Sequence, residues 1–202
     1  MDIELRKFKS FRWLILLILL CSSCSGPAPI SSTEYLSLLD SIKNLLSLCI
    51  FILGSDSSFW KQLIPRYYYA LYHLARLVYN NNKRDDADNH TATWKAMPTD
   101  ISTEGFQFKA QRIINDYYAF TVSDKDVSNQ LSMIEHSDLL GKLSKEVQNT
   151  VNGYHDASSN FNKSNFERSV NELLSEIELK NSELQGKIKA VMTKQTQSTN
   201  TL

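Results

Sequence analysis

An all-α fold, a helical bundle of about five to six helices, is what three features of this 202-residue chain predict. Apolar residues recur at three- and four-residue spacing along most of its length, and no stretch sustains the two-residue alternation of a half-buried strand. Six glycines and four prolines are too few for a turn-rich β protein. Helix-start signatures, a serine followed three residues later by an acid, precede several of the apolar runs.

The elements follow in order. Residues 1–24 read as a signal or membrane-anchor segment: Arg6, Lys7, Lys9 and Arg12 precede an uncharged apolar run at 13–21. As a helix that run covers only ~14 Å, too short for roughly 30 Å of bilayer hydrocarbon but suited to a secretory signal. Small residues just before Cys24 resemble the lipobox of bacterial lipoproteins, with Cys21 where Leu is usual, which implies lipidation of Cys24. Three readings stand here: a lipoprotein or cleaved signal, an uncleaved anchor, and the apolar first helix of a cytoplasmic protein. The first two make the protein membrane-associated, and the positive flank would leave the N-terminus inside.

Residues 25–31 are a linker, and 32–193 are the bundle. Ser31 and Glu34 form a capping box that opens a helix along Tyr35, Leu38, Leu39, Ile42, Leu45, Leu46 and Cys49, ending at Gly54. Its length is read as wrong for a second span. A second helix covers 59–79, kinked or restarted at Pro65, with an apolar face and a polar stripe of Arg66, Tyr69, His73, Arg76 and Asn80. Residues 80–88 are a loop, 91–96 a short helix, and 104–121 a helix presenting Phe106, Ala110, Ile113, Ile114, Tyr117 and Tyr118 on one broad face. Ser123 with Asp126 caps a helix through Ile134, and Ser137 opens another that reaches Tyr154.

The long last helix has the strongest pattern. Ser164 and Glu167 form a capping box. Val170, Ile177, Leu184 and Val191 recur every seven residues, with Leu174, Asn181 and Ile188 at the complementary position. This is a coiled-coil seam of about three heptads, serving either a homo-oligomer or an intramolecular dock. Glu176/Lys180 and Glu183/Lys187 are spaced for ion pairs on its outer side. Residues 194–202 read as a disordered tail.

The 22 basic residues cancel the 22 acidic ones, so no global positive field drives nucleic-acid binding. The three cysteines, Cys21, Cys24 and Cys49, have neither a disulfide nor a metal spacing, and Cys49 between Leu48 and Ile50 reads as a buried small hydrophobe. No phosphate-cradling loop, zinc-protease motif or nucleophile elbow is found. The four histidines fall on different elements, and no metal or cofactor is expected.

One region carries a likeness. The run Arg66-Tyr67-Tyr68-Tyr69-Ala70-Leu71-Tyr72-His73-Leu74-Ala75-Arg76-Leu77 resembles the second helix of the HEPN family. Asn89-His90 falls where many of these proteins place a Ser-His pair. Arg112-Ile113-Ile114-Asn115-Asp116-Tyr117 is similar to the family's Arg-x-x-Ala-Asp-Tyr, with Asn115 in place of Ala. The resemblance spans about residues 32–135, and the extra helix at 137–155 departs from the usual five-helix plan.

The resemblance implies a bundle, often dimeric, linked to RNA cleavage, to nucleotide-modifying partners, or to toxin–antitoxin and defence systems. Its ribonucleases pair an Arg with a downstream His, and here only Arg66 and His73 have such a spacing. They point the same way on a helix but coincide with the structural second-helix motif. The reading is therefore a non-catalytic member that binds a partner protein, nucleotide or RNA through Tyr69, Arg76, His90, Arg112, Asp116 and Tyr117. For Arg112, Asp116 and Tyr117 a structural reading stands ahead of the binding one: Arg112 and Asp116 form a helix ion pair and Tyr117 fills the core. A metal-independent ribonuclease using Arg66 and His73, and an envelope lipoprotein acting as helical adaptor, are the alternatives.

Overall fold

The computed structural model describes residues 30–83, 89–156 and 160–199. The expectations for the segment at 1–24, for Cys24 and for most of the linker lie outside them. Among the described residues there is no strand, and the elements are α1 (Ser32–Gly54), a 3-10 segment (Ser57–Gln62), α2 (Leu63–Lys83), α3 (His90–Lys95), α4 (Thr99–Tyr117), a second 3-10 turn (Ala119–Thr121), α5 (Asp124–His136), α6 (Leu139–Val151) and α7 (Lys163–Thr199). The predicted all-α bundle with a long C-terminal helix is what forms.

α2 is the centre of the molecule. It packs against α1, α4 and α6, and α7 closes the far side against α1, α5 and α6. Nearly all of α2 is enclosed, with Leu63, Ile64, Tyr67, Tyr68, Ala70, Leu71, Tyr72, Leu74, Ala75, Leu77 and Val78 buried. A helix surrounded on most sides has no solvated face, so the polar stripe read on it is half-buried and Asn80 is 2% exposed. Pro65 lies in the first turn of α2, where a missing N–H leaves no helical bond unmade. The restart, not the kink, is what it marks. The loop expected from residue 80 begins later, because α2 continues through Lys83.

α1 starts as expected: Ser31 Oγ accepts from the Glu34 N–H, and the Glu34 carboxylate accepts from the Ser31 N–H at 3.0 Å. At 23 residues it is long and apolar enough to cross a membrane or serve as an export segment, contrary to the length expectation. Its role here comes from the stripe Tyr35, Leu39, Ile42, Leu46 and Cys49, which is fully buried against α2 and α7. Tyr35, Tyr154, Phe161 and Phe166 pack edge-on and stacked at the start of α1. There Tyr154 Oη donates to the Ile30 carbonyl at 2.6 Å, fixing where the chain enters the bundle.

The α7 seam is spent inside the chain. Val170, Leu174, Ile177, Leu184 and Ile188 are fully buried against α1, α5 and α6. Each contributes about 1.5–3 kcal/mol relative to exposure. Asn181 accepts a hydrogen bond from Tyr67 Oη at 3.0 Å, so its polar group is matched within the fold. Gln185 Nε2 donates to the carbonyls of Ile134 and Ser137, tying α7 to the turn between α5 and α6.

Three local expectations for this helix change. Its cap is Asn162, whose Oδ1 accepts from the Asn165 N–H at 3.0 Å, while Glu167 pairs with Lys163. Glu176 pairs with Lys43 of α1 at 3.1 Å rather than with Lys180, whereas Glu183 does meet Lys187 at 3.7 Å. The helix also runs on to Thr199, beyond the expected boundary at 193.

Candidate functional site

Residues that the sequence placed on three separate helices come together where α3 lies between α2 and α4. α3 is a six-residue helix capped by Asn89, whose Oδ1 accepts from the Thr91 and Ala92 N–H groups. Its first residue, His90, stacks on the Tyr72 ring with centroids 3.8 Å apart and planes within 9°. His90 Nδ1 lies 2.7 Å from Tyr68 Oη, which also accepts a hydrogen bond from the Trp94 indole N–H at 3.2 Å. Trp94 is completely buried, and its ring rests on the backbone of Gly105 in α4. Burial holds the Tyr68 phenol well above its ordinary value, with the Trp94 hydrogen bond and the Arg112 charge opposing that rise.

Outward from this buried layer lies Tyr69. Its hydroxyl accepts from Arg112 Nη2, and the guanidinium carbon stands 5.1 Å from the Tyr69 ring centroid and 5.8 Å from that of Tyr117. Asp116, one turn on from Arg112, forms an ion pair with Nε, although the N–H is not aimed along that line. Burial works against the Arg112 charge, but Tyr69, Asp116 and Tyr117 outweigh it and raise the guanidinium above its ordinary value. The cation is thus committed to partners within the chain. Lys109 is similarly engaged, donating to Thr91 Oγ1 at 2.7 Å.

Of the residues singled out from the sequence, Tyr69, His73, His90, Arg112, Asp116 and Tyr117 share this region. His73 lies with its ring 6.2 Å from Tyr69 and 5.6 Å from Tyr72. The charge of Arg66, two turns earlier, reaches Cys49 of α1. Arg76 lines an open groove of about 230 Å³ with Ile30, Glu34, Ser37 and Leu38, and Arg112 is not among its lining residues.

The Tyr117 expectation is corrected. Tyr117 is 66% exposed, because α4 begins at Thr99 and ends at Tyr117, and it turns Ile101, Gly105, Phe108 and Asn115 inward. The broad apolar face read at 106–118 divides: Phe106 packs half-buried against the core, while Ala110, Ile114, Tyr117 and Tyr118 face outward. The 3-10 turn that follows carries Phe120 out to 86% exposure beside Tyr118 at 55% and Ile114 at 38%. The participants missed from sequence are Tyr68, Tyr72, Trp94, Lys109 and Phe120. Trp94 stands one helical turn after His90 and was the legible clue. Nothing in the sequence pattern flags Phe120, since it depends on where α4 stops.

Among the described residues no group of His, Cys, Asp and Glu side chains has the arrangement of a metal site. No family model, no curated protein and no solved structure matches the chain.

Proposed function

We propose that this chain is a non-catalytic, HEPN-like docking protein whose contact face is the outer end of α4 and the turn after it. The carrying observation is the run of exposed apolar and aromatic side chains Ile114, Tyr117, Tyr118 and Phe120 beside Arg112. Tyr, Phe and Arg are the residue types enriched at the energetic centres of protein interfaces, where rigid rings fill pockets at small entropic cost. The same observation favours a protein over RNA as partner. The local cation is paired with Asp116, and the chain has no net charge with which to draw in a phosphate backbone.

Membrane tethering through the first apolar segment is compatible with this reading and makes the bundle an adaptor held at a surface. Fractionation of native chain beside Cys24→Ser tests the tether: a soluble native protein with unchanged processing of the variant removes it.

The docking face is tested by Tyr117→Ser/Phe120→Ser in the full chain. Both side chains are solvent-facing, so stability should move by no more than about 0.5 kcal/mol, while specific co-purification of the partner falls at least tenfold. Equal recovery of the partner with the double variant, or recovery of RNA in its place, overturns the proposal. The ribonuclease alternative is tested separately, by comparing RNA cleavage before and after His73→Ala.

A further inference from the structure

The hydrogen-bond order around His90 contains a device that the docking reading does not use. Tyr68 Oη receives the Trp94 indole proton at 3.2 Å and therefore serves that bond as an acceptor. The phenol has one proton of its own to donate, and His90 Nδ1 lies 2.7 Å away. The order that satisfies every group is Trp94 N–H to Tyr68 oxygen, then Tyr68 O–H to an unprotonated Nδ1. His90 is then the neutral Nε2–H tautomer.

We propose that His90 is an acid-sensitive latch that holds α3 in place while neutral and loosens it when protonated. Protonation puts a solvent proton on Nδ1 and breaks the Tyr68 O–H···N bond. The Tyr68 oxygen must then accept from both the imidazolium and the indole, and its own O–H loses its acceptor. The groups around the ring divide. From α2, Tyr68, Tyr69 and Tyr72 gather near it, with His73 on the neighbouring rings, and the Tyr72 face stacked at 3.8 Å favours a cation. From α4, the Arg112 charge reaches the Tyr68 phenol and bonds Tyr69, which disfavours a second cation beside it. Asp116 partly offsets Arg112. Asp85, Asp86 and Asp88 precede His90 in the chain, outside the described residues.

α3 also rests on α4, through the Trp94 ring over Gly105 and the Lys109–Thr91 hydrogen bond. Loosening it thus reaches the helix that carries the exposed aromatic residues. The latch itself stands on its own geometry, whatever docks there.

Imidazole nitrogen NMR of the full chain reads the latch without any partner. At pH 7.5 His90 should appear as the Nε2–H tautomer, with a midpoint below the ordinary histidine value of about 6.5. Tyr68→Phe removes the donor to Nδ1 and should move the midpoint up by at least half a unit. A native midpoint at or above about 6.5, or an Nδ1–H tautomer, overturns the proposal. If Tyr68→Phe does not fold, His90→Phe keeps a ring against Tyr72. In it the acid-induced loss of Trp94 indole N–H protection should disappear, and persistence of that loss at the same midpoint overturns the latch equally.

Discussion

A Cβ built on Gly105 would lie 2.3 Å from Trp94 Cε3, and the indole it meets is fully buried and tied to Tyr68. The ring cannot retreat, so Gly105→Ala should destabilise the fold by about 1–3 kcal/mol through overpacking. A lowered urea midpoint at unchanged slope is the expected reading. Tyr67 and Asn181 set a different kind of constraint. Asn181→Leu leaves the buried Tyr67 hydroxyl without its acceptor, a loss of about 1–3 kcal/mol. Adding Tyr67→Phe should restore part of that loss, because two apolar groups no longer leave an orphan between them.

Cys49 shows the same interior acting on a titration. Burial pushes its thiol up to about 12, with the Arg66 charge working weakly against that rise. A group whose value is raised on folding contributes its stability below the unfolded value and loses it as pH rises toward the folded one. Here that window runs from 9.0 to about 12. Tyr35, Tyr67 and Tyr68 are raised by burial in the same sense. Thermal stability should therefore fall across alkaline pH, and peptide mapping after iodoacetamide treatment at pH 8 should find Cys49 unmodified until the protein is unfolded.

The helices differ in how plainly the sequence announces them. α1 and α5 each open on a capping box, Ser31 with Glu34 and Ser123 with Asp126, that forms as read. Those motifs are legible because cap and acceptor lie three residues apart, and no distant contact decides between alternatives. The start of α7 is less plain, since Asn162 and Ser164 both qualify, and Asn162 takes the role. Asn162→Ala should cost about 0.5–2 kcal/mol, whereas Ser164→Ala should leave the melting temperature nearly unchanged. α4 hid its orientation for a physical reason. Its sequence has apolar residues on more than one side, and the inward choice falls to Gly105 and Phe108, the side that Trp94 and α2 can approach closely. The meeting of Tyr69 with Arg112, 43 positions apart in the chain, likewise needs the whole α2–α3–α4 packing and has no local signature.

Across the molecule, the heptad stripe of α7 is consumed by α1, α5 and α6, with Tyr67 supplying the match for its one buried amide. Sedimentation of Asn181→Leu should accordingly show no change in assembly state, even as stability drops. The long-range order of the chain thus places its strongest pattern in the core and its least predictable one, the turn after α4, at the surface. Site-specific photo-crosslinking reads that surface in its own setting. With p-benzoylphenylalanine replacing Phe120 in the full chain, irradiation in source cells should give one discrete protein adduct, and the same probe at exposed Glu178 on α7 should not. Equal labelling from both positions, or adducts to RNA from position 120, would contradict the account.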